Sequence, residues 1–241
     1  MHISIKNSLL VNFLLISLLI GLCGCMEKSI SIEEELLQKC IDAHGGMERW
    51  LSQDYITYDK NVVLYLENGE IEKELAQHHQ YAYKPELAGT ISWKDSVERK
   101  VVYKDNKAFK INGTKEEAPD PSSYNTFHAA NYVLNMPWKL KDPIAKITYL
   151  GLDTLFNDSI VHTLKVEYPN AEKKDVWEYY LDQEEYHLVA NKVHHGSTYS
   201  LITNDEYAMF EDLKYNSKRT SYMVDSLGNV LYLRAKYVYK Y

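Results

Sequence analysis

Two periodicities divide the chain. From Ser31 the apolar positions recur at helical spacing: Leu36, Leu37, Cys40 and Ile41 share one face, with Glu33, Glu34 and Lys39 mostly away from it. This predicts a helix running to about His44 and lying against a core. Ser31 with Glu34 three positions on is a capping-box pattern for its start, and Gly45-Gly46 supplies a left-handed stop. After Trp50 the period drops to two. Val62, Leu64 and Leu66 alternate with Val63, Tyr65 and Glu67, and after Asn68-Gly69 the run 71–83 places Ile71, Leu75, Tyr81 and Tyr83 on one face. Asn-Gly between two such runs is a hairpin signal.

Further strands are expected at 90–93, 100–104 and 108–111, so the first half reads as an antiparallel meander. Residues 116–140 interrupt it. There Asp120-Pro121 reads as a cap followed by proline at the first helical position, Tyr124, Phe127, Asn131 and Leu134 recur at helical spacing, and Met136-Pro137 ends the helix. A second meander is expected at 145–150, 160–168, 176–182, 188–194, 198–203, 206–215, 220–225 and 230–239. The clearest of these strands sets Ile160, His162, Leu164, Val166 and Tyr168 against Thr163, Lys165 and Glu167. The fold class that follows is mainly β with α: a strongly curved antiparallel sheet, or incomplete β-barrel, of about 11–12 strands with helices covering its concave face. No linker, repeat or low-complexity tract divides residues 31–241, which are expected to form a single domain.

The amino-terminal stretch belongs to a different class of segment. Lys6 precedes an apolar run at 9–22, which is shorter than the roughly 20 apolar residues a membrane-crossing helix needs. This is the layout of a secretory signal peptide. The run closes on Leu22-Cys23-Gly24-Cys25, which resembles the lipobox of bacterial lipoproteins. The resemblance implies lipid attachment at Cys25, removal of residues 1–24 and a short tether at 25–30. Two or three acyl chains would then hold the protein to a membrane, each buried methylene contributing about 0.8 kcal/mol. Removal of Cys23 and lipidation of Cys25 leave Cys40 alone, so no intramolecular disulfide is available and stability has to come from a core. Cys40 itself reads as a small buried hydrophobe. The net charge of −7 argues against nucleic acid and offers no basic arm for a membrane surface.

Three motifs carry a wider resemblance. Ala43-His44-Gly45-Gly46-Met47-Glu48-Arg49-Trp50, at the end of the first helix, resembles the start of periplasmic proteins related to the lipoprotein carriers LolA and LolB. Asn135-Met136-Pro137-Trp138-Lys139-Leu140-Lys141-Asp142-Pro143 and Val176-Trp177-Glu178-Tyr179-Tyr180-Leu181-Asp182 resemble an uncharacterised lipoprotein family within that fold group, as does the tail around Lys218-Arg219-Thr220. The resemblance implies a half-barrel whose apolar concave face takes acyl chains, in a protein of the cell envelope, held at the outer membrane. Candidate ligand contacts are Arg49, Trp50, Tyr124, Phe127, Leu134 and Trp138, with Arg49 and the Trp138 loop chosen by position.

The remaining chemistry points away from an enzyme. His78-His79 and His194-His195 cannot each chelate as a unit, because neighbouring side chains on a strand face opposite ways. A nucleophile elbow, a His-Glu-x-x-His helix and a Walker loop are all missing from the sequence, so no catalytic, metal or cofactor residue is expected. The 21 tyrosines could stack on sugars, but they are spread through nearly every strand and read as packing and rim residues. Two classes of function stand beside a glycan-binding surface lipoprotein. One is a lipid-anchored module, expected to be monomeric, that binds an acyl chain or a lipoprotein-like ligand. The other is an interaction or structural lipoprotein whose groove is filled by its own side chains. A cavity of several hundred Å³ beside the segment 124–140 would favour the first.

Overall fold

Helix α1 (Ile32–Ala43) forms one residue after Ser31 and buries the predicted stripe of Leu36, Leu37, Cys40 and Ile41. Leu36, Leu37 and Ile41 each stabilise the docked helix by roughly 1.5–3 kcal/mol relative to exposure. The structure, a computed structural model, describes residues 30–169 and 175–241. The expected signal segment 1–24 and the expected lipid-attachment residue Cys25 lie outside them. Residues Met1–Ser31 and Ile32–Tyr241 are separate units, and the second holds the whole fold described below. Among the described residues, no helix is long and apolar enough to cross a membrane.

Gly45 and Gly46 end α1 with φ of 105° and 87°, and Gly46 N–H closes back on the Ile41 carbonyl at 2.9 Å. Gly45 is required for a second reason: a Cβ there would lie 2.5 Å from the Asp212 carbonyl oxygen. A short helix that the pattern did not predict, α2 (Met47–Ser52), follows at once.

The sheet has thirteen antiparallel strands: β1 (Tyr55–Tyr65), β2 (Ile71–Ala82), β3 (Ala88–Lys94), β4 (Glu98–Lys104), β5 (Lys107–Asn112), β6 (Lys115–Glu116), β7 (Lys146–Thr154), β8 (Ile160–Glu167), β9 (Val176–Asp182), β10 (Leu188–His195), β11 (Thr198–Phe210), β12 (Leu213–Val224) and β13 (Val230–Lys240). Two meanders, β1 to β6 and β7 to β13, are joined where β1 pairs with β13. The strand order is therefore β6-β5-β4-β3-β2-β1-β13-β12-β11-β10-β9-β8-β7, and the edges β6 and β7 do not pair. The sheet is curved but not closed, as expected of a half-barrel.

That topology decides where the helices go. The chain leaves β6 at one edge and re-enters at β7 on the other, so the connecting segment has to cross the sheet face. It does so as α3 (Pro121–Leu134) and a 3-10 turn at Trp138–Lys141. Asp120 caps α3 by accepting the Ser123 N–H at 2.9 Å, with Pro121 at the first helical position. α1, α3 and the 3-10 turn share one core cluster with inward side chains from strands at both ends of the sheet, including Tyr103 on β4 and Leu164 on β8.

The thirteenth strand and the strands after residue 198 correct the sequence reading. The expected strands 198–203, 206–215 and 220–225 are two, β11 and β12, turning at Glu211-Asp212. Both turn residues have left-handed φ, 48° and 61°, in a two-residue hairpin that lacks the usual Asn or Gly signal. Asn204-Asp205 resembles a turn in sequence but is a bulge, where the pairing with β12 slips between Asn204 and Glu206.

Candidate functional site

A cavity of about 440 Å³ lies between the concave face and one side of α3. Its apolar wall comes from Ala130, Leu134 and Met136 on and after α3, and from Ile91, Trp177 and Leu188 on the strands. Tyr132, Tyr179, Tyr237 and Tyr239 supply rings along the same lining. The volume lies within the range of roughly 300–1,000 Å³ typical of small-ligand sites.

Polar side chains sit among these apolar ones on the same lining. His79 on β2 is buried, stacks on Tyr58 at 4.7 Å between ring centroids, and its Nδ1 accepts from the Tyr58 hydroxyl at 3.1 Å. Burial, with smaller contributions from Lys60 and His78, pushes its pKa down to about 3, so it is neutral. Its neighbour His78 points to the opposite face and pairs with Asp59 at 2.8 Å. Lys60 on β1 lies over the rings of Tyr237 and Tyr239, 5.4 and 5.8 Å from their centroids. Arg219 on β12 reaches across the sheet: Nε donates to Asn204 Oδ1 at 2.9 Å and Nη2 to Asn191 Oδ1 at 2.8 Å.

Of the six candidate contacts chosen from the sequence, Leu134 lines the cavity. Phe127 is fully buried behind it, stacked on Tyr103 at 4.6 Å and tilted against Tyr81 at 5.1 Å, where it fastens α3 to the sheet. Tyr124, one turn earlier, is 43% exposed and leans on Tyr103 and His128. Trp50 and Trp138 come together, stacked at 6.2 Å with planes 4° apart, but in a plug where α2 meets the 3-10 turn. Trp50 Nε1 donates to Asn135 Oδ1 at 2.7 Å and Trp138 Nε1 to the Gly46 carbonyl at 3.2 Å. Arg49 forms an exposed ion pair with Asp212 at 3.0 Å. Five of the six are thus placed in the frame or at its rim, while Leu134 faces the empty space.

The same plug holds His44, wholly buried, whose Nδ1–H donates to the Lys214 carbonyl at 2.8 Å and whose Nε2 accepts from Leu188 N–H at 3.1 Å. Both nitrogens are committed, so the ring ties α1 to β10 and β12 only as the neutral tautomer. Burial is the main reason that its pKa falls to about 4. Among the described residues, no group of three or more His, Cys, Asp or Glu could hold a metal ion.

Lys60 and Arg219 were missed because of strand boundaries. The alternation at 62–66 starts β1 too late, and the break between 215 and 220 puts Arg219 in a turn, where a charge is unremarkable. Both sit mid-strand in the fold. The signal available was the inward tyrosine pair of the last strand, Tyr237 and Tyr239, whose cross-strand partners are Arg219 and Lys60.

No family model matches the chain, and no curated protein does. Among solved structures, it is similar to a DUF1329 family protein from Desulfovibrio piger, with a TM-score of 0.57 at 5% identity over 88% of this chain and 92% of that one. It is also similar to a domain from Vibrio parahaemolyticus assigned as an outer membrane lipoprotein-sorting protein, with a TM-score of 0.51 at 9% identity over 86% of this chain and 89% of that one. At such identities the likeness is one of fold: the chain has the LolA/LolB-like architecture that the motifs at 43–50, 135–143 and 176–182 implied.

Proposed function

We propose that this protein is a non-enzymatic component of a bacterial envelope that binds an acyl chain or another apolar ligand in the cavity beside α3. The observation that carries this reading is the space itself. Phe127, Trp138 and Leu140 are packed to near-complete burial, yet about 440 Å³ remains open along α3. A groove filled by its own side chains would leave no such volume. The driving force is removal of apolar ligand surface from water, at roughly 25 cal/mol per Å² before association costs.

The lipobox-like Leu22-Cys23-Gly24-Cys25 supports attachment through lipid on Cys25, and Met26 in the following position, in place of aspartate, supports an outer-membrane destination. Blocking lipoprotein signal peptidase should leave a heavier, membrane-bound precursor.

The cavity is tested with the neutral apolar dye N-phenyl-1-naphthylamine. Saturable, one-to-one binding is expected, and it should be lost in Ala130→Trp, which fills the space from α3, while the melting temperature stays close to that of the parent. Dye binding that is not saturable, or is unchanged in Ala130→Trp, would refute the reading.

A further inference from the structure

We infer that the cavity takes a single-chain amphiphile with an anionic head, and that Arg219 is the seat of that head. This deepens the acyl-binding reading above and rests on it.

The chain has four arginines, all of them in the described residues. Arg49, Arg99 and Arg234 each sit within 3.0 Å of a carboxylate, on Asp212, Asp95 and Glu72. Arg219 is the exception: no ion pair is found for it among the described residues. Its guanidinium is held instead by the side-chain oxygens of Asn191 and Asn204, both buried, and Asn204 is itself fixed by donating to the Leu188 carbonyl. Two neutral acceptors orient the group without cancelling its charge. They engage two of the five N–H donors, leaving a fork suited to the two oxygens of a carboxylate or phosphate.

The rest of the lining repeats the bias. The protein carries 34 acidic residues and a net charge of −7, yet among the described residues no aspartate or glutamate lines this cavity, and Lys60 adds a second cation to it. A partly buried cation without a counter-ion is costly, so proteins normally pair it. A ligand anion supplies the missing partner, and the charge acts more strongly there than it would in water. The apolar wall then takes the chain. A cavity of about 440 Å³ gives room for one acyl chain.

The test is displacement of the bound dye from purified protein by hexadecanoate, lysophosphatidic acid, hexadecanol and inorganic phosphate. In the parent at pH 8, at least one anionic amphiphile should bind about tenfold or more tightly than hexadecanol, and phosphate alone should not displace the dye. The preference should shrink to within about threefold in Arg219→Met and be largely kept in Arg219→Lys. Which anion is the tighter names the head group, and either supports the inference. Equal binding of acids and alcohol by the parent overturns the anionic head while leaving the apolar cavity standing. Failure of every amphiphile to displace the dye overturns both readings. The comparison within the parent protein decides the matter even if Arg219→Met folds poorly.

Discussion

Acidification should loosen this fold well before its carboxylates titrate. His44 and His79 are both buried and neutral, with pKa values lowered to about 4 and about 3, against about 6.5 in an unfolded chain. Between those values the unfolded chain binds more protons than the folded one, so stability is full above pH 6.5 and falls as the pH drops towards the folded values. From pH 7.5 to 5 the linkage costs about 2 kcal/mol for each ring, about 4 kcal/mol together. Such a loss is a large part of the 5–15 kcal/mol typical of a domain. The assay is urea unfolding at pH 7.5, 6.5, 5.8 and 5.0. His44→Gln offers an amide to the Lys214 carbonyl and an oxygen to Leu188 N–H without a titrating ring, so it should lower stability at pH 7.5 through lost packing on Trp138 but show about half the pH slope. A parent stability that is flat from pH 7.5 to 5, or an undiminished slope in His44→Gln, would refute the reasoning.

Two other substitutions probe the frame. Phe127→Ala removes the ring that fastens α3 to Tyr81 and Tyr103 and should cost about 3–5 kcal/mol in urea unfolding, whereas Arg49→Ala, breaking an exposed ion pair, should cost less than about 1 kcal/mol. Gly45→Ala, where the new Cβ meets the Asp212 carbonyl, should lower the melting temperature clearly more than Gly46→Ala, where nothing lies within 4 Å; equal shifts would show that the close approach to the turn is unimportant.

Much of the fold was legible because local pattern and final environment agree. The stripe on α1 encodes a face that the structure buries, and Asp120-Pro121 starts α3 as expected, whereas β8 departs from its alternation: Leu164 and Val166 are buried, but Ile160 is exposed and Val161 and Thr163 on the opposite face are buried as well. The failures have local causes. Glu211-Asp212 turns through left-handed φ without glycine or asparagine, and Asn204-Asp205 spends its turn-like chemistry on a bulge. The site was less legible than the frame for a related reason. Phe127 looks like a ligand contact from its place on the helix stripe and Trp138 from its position in the loop after it, but both rings are consumed by packing. The residues that define the cavity's character, Arg219, Lys60, Asn191 and Asn204, come from four different strands. Their meeting depends on the β1–β13 pairing and on the bulge in β11, which no single segment of sequence encodes.

The half-barrel is expected to carry an apolar guest beside α3. Native mass spectrometry of the protein purified from a bacterial envelope tests it most directly, with solvent extraction of the same sample to identify what is released. A mass increment corresponding to one single-chain acyl species per protein, reduced in Ala130→Trp, is the predicted result. A clean apo mass that stays unchanged after incubation with hexadecanoate and lysophosphatidic acid would show that the cavity holds no such guest.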